Sequence, residues 1–173
     1  GSGDVTLKPS TATTIGIGTG AGVFHVSDAE MDAIITTGTL TIGDNNVAGA
    51  VTADEVTADA KNLTIRTNST INDDDDADAA IQTTGTLTLR SNGHIGNLGG
   101  AQGLNANVGT LSILSTGAVG NATLHNGATA LNLGTVNVGG NLIATSNAPM
   151  TDTGTLVIAG TATFNAGAGN DIT

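Results

Sequence analysis

The sequence predicts an all-β fold, a parallel β-helix of about seven coils of 20–25 residues, with one short helical turn near residues 28–35. Three observations carry this. An apolar pair recurs after Gly-Thr or Asn, as in Gly38-Thr39-Leu40-Thr41-Ile42 and Gly85-Thr86-Leu87-Thr88-Leu89, with its first member at 40, 63, 87, 111, 136 and 156. The steps between those numbers are 23, 24, 24, 25 and 20, and periods of 20–50 residues mark solenoids and arrays. Finally, Gly, Asn and Ser fill the gaps, as in Ser91-Asn92-Gly93, Gly120-Asn121 and Gly139-Gly140-Asn141, where tight corners need residues that tolerate positive φ.

Each motif reads as a strand. Leu40 and Ile42 alternate with Thr39 and Thr41, the period of two that sends one set inward and the other outward. Thr, Val and Ile also suit a pleated surface. The inward set is Leu40, Ile42, Leu63, Ile65, Leu87, Leu89, Leu111, Ile113, Val136, Val138, Leu156 and Ile158. Shorter strands are expected between the motifs, at Ala118-Val119, Ala122-Thr123-Leu124, residues 130–133, His94-Ile95, Asn97-Leu98 and residues 141–145, so that one coil is about three short strands. Near-constant spacing of a near-identical motif favours like strands stacking on like strands. Propeller blades run to roughly twice this period, and the leucine-rich-repeat pattern is missing. A lone coil cannot offset its own ordering entropy, so neighbouring coils must supply the rest. At roughly 4.8 Å per rung, seven coils would make a rod of about 34 Å.

The first third departs from this rhythm. Val23-Phe24-His25-Val26 reads as a strand, and Ser27-Asp28-Ala29-Glu30 as a capping box opening a helical turn over residues 28–35, with Met31, Ile34 and Ile35 behind it and Gly38 after it. Thr52-Ala53-Asp54-Glu55 has a similar form but is followed by Val56 and Thr57, and is expected to be a loop. Gly1-Ser2-Gly3 reads as an expression scar, leaving residues 4–173 as a single repeat domain excised from a longer chain.

Composition removes several functions. The 173 residues contain no Cys, Trp or Tyr, 30 Thr, and 15 Asp+Glu against 4 Lys+Arg, for a net charge of −11. Without Cys there is neither a disulfide framework nor a thiolate metal site. Four cations cannot make the basic face that nucleic acid requires. No apolar run reaches the roughly 20 residues of a membrane helix. Mean hydropathy is +0.14 and only 11 % of residues are charged, which does not describe a disordered chain.

Candidate sites are few. Asp73-Asp74-Asp75-Asp76 with Asp78 could gather Ca²⁺ but lacks the EF-hand glycine and glutamate, and reads as a solvated loop. Gly167-Ala168-Gly169-Asn170-Asp171-Ile172 resembles one Ca²⁺-binding nonapeptide, whose sites need consecutive copies. His25, His94 and His125 are scattered. Asp54, Glu55 and Asp59, with Lys61 and Arg66 nearby, could share a face as glycosidase-type carboxylates, but no Trp or Tyr offers a sugar platform. Outward Thr39, Thr41, Thr64, Thr86, Thr88, Thr110, Ser112, Thr135 and Thr155 would form a hydroxyl ladder able to order ice-like water, but Asn137 and Val157 interrupt it, and Thr is simply a good strand former. No catalytic, cofactor-binding or metal-ligating residue is therefore assigned. Charge is uneven: thirteen of the fifteen acids lie in residues 4–78.

Ser27-Asp28-Ala29-Glu30-Met31-Asp32 followed by Gly38-Thr39-Leu40-Thr41-Ile42-Gly43, with the later Gly-Thr-Leu repeats and the Gly-Ala-Val-Gly and Gly-Asn-Leu between them, resembles the repeat region of filamentous-haemagglutinin-like, two-partner-secreted bacterial exoproteins. The resemblance implies a right-handed parallel β-helix and a non-enzymatic stalk or fibre of a secreted or cell-surface adhesin. The expected partners are flanking coils of the parent protein, a surface protein or glycan of a host or neighbouring cell, and other copies end to end. Neither nucleic acid nor membrane insertion is expected. The alternatives are a module that binds a glycan, a protein or Ca²⁺ through loops such as 72–78, and a polysaccharide-active enzyme.

Overall fold

The structure is a computed structural model, and it describes residues 1–46, 48–74, 78–96 and 103–173. Its elements are β1 (Val5–Leu7), β2 (Thr13–Gly18), β3 (Phe24–Val26), α1 (Asp28–Ala33), β4 (Thr39–Asp44), β5 (Ala48–Asp54), β6 (Val56–Thr57), β7 (Asn62–Thr67), β8 (Ile71–Asp73), β9 (Ile81–Arg90), β10 (Leu104–Ser115), β11 (Ala122–Asn126), β12 (Leu131–Val138), β13 (Leu142–Ser146), β14 (Met150–Asp152), β15 (Leu156–Ile158) and β16 (Ala162–Asn165). Every strand pair given by the register is parallel, and the chain is a β-solenoid.

Three walls enclose the core. In the first, Val5 stacks on Leu40, Leu40 on Leu63, Leu63 on Leu87 and Leu87 on Leu111, and the adjoining column carries the wall on through Ile113, Val136 and Leu156. The second runs Ile15, Val51, Ile71, Ile95, Ala122, Leu142, Ala162. The third is carried by Val56, Ile81 and Ala106, then by Leu131, Met150 and Ile172. About five turns thus have a coil on either side, and one further rung closes each end.

The inward set behaves as its alternation demands. Leu40 to Val138 of that set are all buried, and Leu156 and Ile158 are half-buried because no rung covers them. The alignment needs one correction. Leu111 meets Leu133, and Ile113, not Leu111, meets Val136. Three residue steps on β12 span what two span on β10, a bulge that moves the offset between these coils from 22 to 23, so the motif's 25-residue step is two longer than the true offset. Val136 and Val138 still face inward because the net slip is two positions, and only an odd slip would turn them out.

Other expectations shift locally. The helical turn ends at Ala33 rather than reaching residue 35, Met31 is buried, and Ile35 stands 83 % exposed. Ser27 Oγ accepts from the Glu30 backbone N–H at 3.3 Å, and the Ser27 N–H donates to Glu30 Oε2 at 2.9 Å, so the capping box forms. The stretch expected as a loop at 52–55 is instead the end of β5 and a one-residue corner at Glu55, with φ of 47°. Val51 and Ala53 are both fully buried, and this inward alternation holds the strand. Ala118-Val119 is a turn, with Val119 81 % exposed. Asn97-Leu98 lies outside the described residues.

Corners are closed by side chains bonding to backbone. Thr67, Ser91 and Thr116 sit buried at the same corner of three successive coils. Ser91 Oγ donates to the Gly93 carbonyl at 3.0 Å and Thr116 Oγ1 to that of Gly120 at 2.7 Å, while Thr67 Oγ1 donates to the Gly49 carbonyl. Their spacing, 24 then 25 residues, follows the period and was there to be read beside the Leu pairs.

Candidate functional site

The residues singled out by sequence are scattered over several coils and do not converge. Asp73 is 3 % exposed, and its Oδ2 accepts from the Asn105 N–H at 2.7 Å, so it ties two coils together. Asp74 is exposed, and Asp75 and Asp76 lie outside the described residues. His94 Nδ1 accepts from the Asn121 N–H at 3.0 Å, His125 lies on β11 beside Asn105, and His25 is exposed on β3. Among the described residues, no three His, Asp or Glu side chains group as metal ligands would. Asp54 and Glu55 share the Thr19 hydroxyl at one corner, whereas Asp59 pairs with Lys61 at 3.6 Å at the next. The residues Gly167-Ala168-Gly169-Asn170 make a turn held by Asn170 Nδ2, which donates to the Ala166 carbonyl at 2.8 Å. The hydroxyl ladder exists as Thr6, Thr41, Thr64, Thr88 and Ser112, but Thr64 is only 6 % exposed, so it presents no open flat face.

What the structure does bring together is cationic. On the first wall, each rung's second inward residue is followed by an outward one: Leu7 by Lys8, Ile42 by Gly43, Ile65 by Arg66 and Leu89 by Arg90. The register stacks Gly43 on Arg66 and Arg66 on Arg90 and sets Leu7 beside Ile42. Three of the chain's four cations therefore share one strip. Gly43, at φ +88° and against the Arg66 backbone, leaves the middle of the strip without a side chain. The result is a cleft of about 250 Å³ lined by Lys8 and Arg66, by the Thr6 and Thr41 hydroxyls, and by Asp44 and Asn45.

The charges there do not cancel. Lys8 Nζ meets Asp44 Oδ2 at 3.0 Å. Arg90 reaches two rungs down to Asn45, whose Oδ1, in the amide orientation that satisfies both partners, accepts from Nε at 3.3 Å and Nη1 at 3.1 Å. Arg66 Nε is buried with no hydrogen-bond partner. Among the described residues the ion pairs are Lys8–Asp44 and Lys61–Asp59, so neither arginine has a carboxylate within 4.0 Å. Among the described residues the strip carries Lys8, Arg66 and Arg90 against Asp44, a local surplus of two positive charges on a chain of net −11. In the sequence its signal is the residue that follows an inward pair, Lys8, Arg66 and Arg90, rather than the pairs themselves.

A second groove, of about 340 Å³, runs along the third wall between Asp59, Gln82, Thr84, Asn107 and Thr129, and Asp59 is its one charged lining residue among the described residues. No helix among the described residues is long and apolar enough to cross a membrane.

Fold and surface together define a parallel β-solenoid repeat protein. Its last coils, residues 119–173, match a family described as repeats of unknown function (DUF5649). No match was found among curated proteins or among solved structures.

Proposed function

We propose that this chain is a non-enzymatic structural segment, a stalk or fibre, of a large secreted or cell-surface bacterial adhesin of the filamentous-haemagglutinin-like kind. The observation that carries the reading is the first wall, where an inward column runs in parallel register from Val5 to Leu111 and, across the bulge between β10 and β12, the adjoining column carries on from Ile113 to Leu156. Such a column makes a rod whose length is set by coil number and whose outside, mostly Thr, Asn and Ser, can vary without disturbing the inside. The absence of Cys suits passage through a narrow export pore.

The test is location. Antibodies raised against this segment should label the outside of intact source cells, and surface protease should remove the label. Label confined to the cytoplasm of permeabilised cells would overturn the reading. Incubation with a polysaccharide panel should release no reducing ends, and turnover of any member would revive the enzymatic alternative.

A second reading, a module that itself binds a glycan or protein, is favoured by the basic cleft.

A further inference from the structure

From the geometry of the cationic strip we infer that the cleft between Lys8 and Arg66 is a binding site for the carboxylates of an acidic polysaccharide, with Arg66, which lines it, and Arg90, on the adjoining rung, as the anion-recognising groups.

Four observations converge. Arginines in a protein with fifteen acids should find carboxylates readily, yet these two have none within 4.0 Å among the described residues. They sit on adjacent rungs, where like charges repel unless an anion lies between or beside them. A buried guanidinium N–H without an acceptor is costly, and Arg66 Nε is in that state, so no internal acceptor holds Nε of the Arg66 side chain that lines the cleft. Gly43 opens the strip at the rung below Arg66.

The surroundings narrow the ligand. A guanidinium fork matches a planar carboxylate through two parallel N–H donors. Thr6 and Thr41 hydroxyls, the Asn45 and Asn46 amides and the Asp44 carboxylate line the same cleft, a set that meets sugar hydroxyls as donors and acceptors. Lys8 holds Asp44 neutralised at 3.0 Å, so Asp44 can accept a hydroxyl without repelling the ligand. The cations repeat along the solenoid axis, which suits a linear polymer charged at intervals better than a single small anion. A surface of net −11 around the strip confines the polymer to it and makes binding weak and salt-sensitive. The site does not rest on the stalk reading: either can fail alone, since one is tested by location and the other by binding.

The experiment is calorimetric titration of the full chain with an oligogalacturonate at low salt, beside a neutral dextran, a heparin fragment and a polyglutamate peptide. Oligogalacturonate should bind with measurable heat and more tightly than the heparin fragment, and dextran should give none. Arg66→Gln and Arg90→Gln should each weaken it about tenfold or more, as the loss of a charge-assisted hydrogen bond implies, while Lys61→Gln, the cation off the strip, should leave it unchanged. Circular dichroism melts should show the variants folded, and Arg90→Gln, at an exposed side chain, keeps the test valid if Arg66→Gln does not fold. No oligogalacturonate binding, or equal weakening by Lys61→Gln, overturns the site. Tighter binding of heparin overturns the carboxylate assignment, and equal binding of polyglutamate overturns the glycan.

Discussion

In the first 38 residues the chain leaves the coil after β2, returns alongside that strand as β3 and spends six residues in α1 before rejoining the first wall at Thr39; from there to the end no helix interrupts the described coils. The two regions also close their corners with different residues. Early on, aspartates do it: Asp4 Oδ1 accepts from the Thr39 N–H and Asp28 Oδ1 from that of Thr57, each at 2.7 Å. Later, asparagines take the same place: Asn62 Oδ1 accepts from the Thr86 N–H at 3.0 Å, Asn121 from Asn141 at 2.8 Å and Asn141 from Thr161 at 2.9 Å. The bond is the same, one side-chain oxygen to the backbone of the next coil. Part of the crowding of acids into residues 4–78 is therefore a choice between two acceptors of one shape.

The ends differ as well. Beneath the first coil, β3 pairs with β2 and Met31 of α1 is fully buried, so apolar rungs are covered. At the other end Leu156 and Ile158 are half-buried, and Val157 and Ile172 are 54 % and 53 % exposed. A rung with neighbours on both sides needs little beyond its inward pair, whereas a terminal rung needs either a cover or a partner.

Substitutions can break or sharpen this contrast. The largest effect is expected in the regular coils: Leu111→Asp buries an unpaired charge at a position 2 % exposed and should abolish cooperative folding in a dichroism melt, whereas Ile35→Asp, beside α1, should change stability by no more than about 0.5 kcal/mol. A folded Leu111→Asp protein with unchanged melting would mean that the inward column is misplaced.

Next in size is a pair of glycines. Gly43→Ala, at φ +88° and with its new Cβ against the Arg66 carbonyl, should cost more than about 1 kcal/mol and disturb the cleft. Gly109→Ala meets nothing within 4 Å and should be neutral, or stabilising by up to about 1 kcal/mol. Urea denaturation of both variants checks this, and equal losses would contradict the register that brings β7 against β4.

The smallest effect belongs to the helical cover. Ser27→Ala removes the cap and should cost about 1 kcal/mol, read as a lowered melting temperature. The Ser27 N–H and then its hydroxyl hold the exposed Glu30 carboxyl below the usual 4.5, with His25 adding to the same side. A carboxylate depressed in the folded state lends stability above its unfolded value, and that stability disappears as pH falls through the folded one. The cost of Ser27→Ala should therefore shrink on the acid side of 4.5. A cost that is flat with pH would show that the capping box adds no charge-dependent stability.

Most of this architecture was legible in residue order because it is local. Alternation of Leu or Ile with Thr dictates which side chains face in, and Ser27 with Glu30 marks the helix start, whatever the rest of the chain does. The Glu55 corner was not legible, since a single left-handed residue leaves no composition signal, and neither was the bulge between β10 and β12, since both alignments bury the same valines. The basic strip lay between these cases. Leu-Lys, Ile-Arg and Leu-Arg steps stand in the sequence at Lys8, Arg66 and Arg90, but their meeting depends on register. Local pattern sets a side chain's direction, whereas the length of every intervening corner sets its neighbours, and only the closed coils add those lengths together.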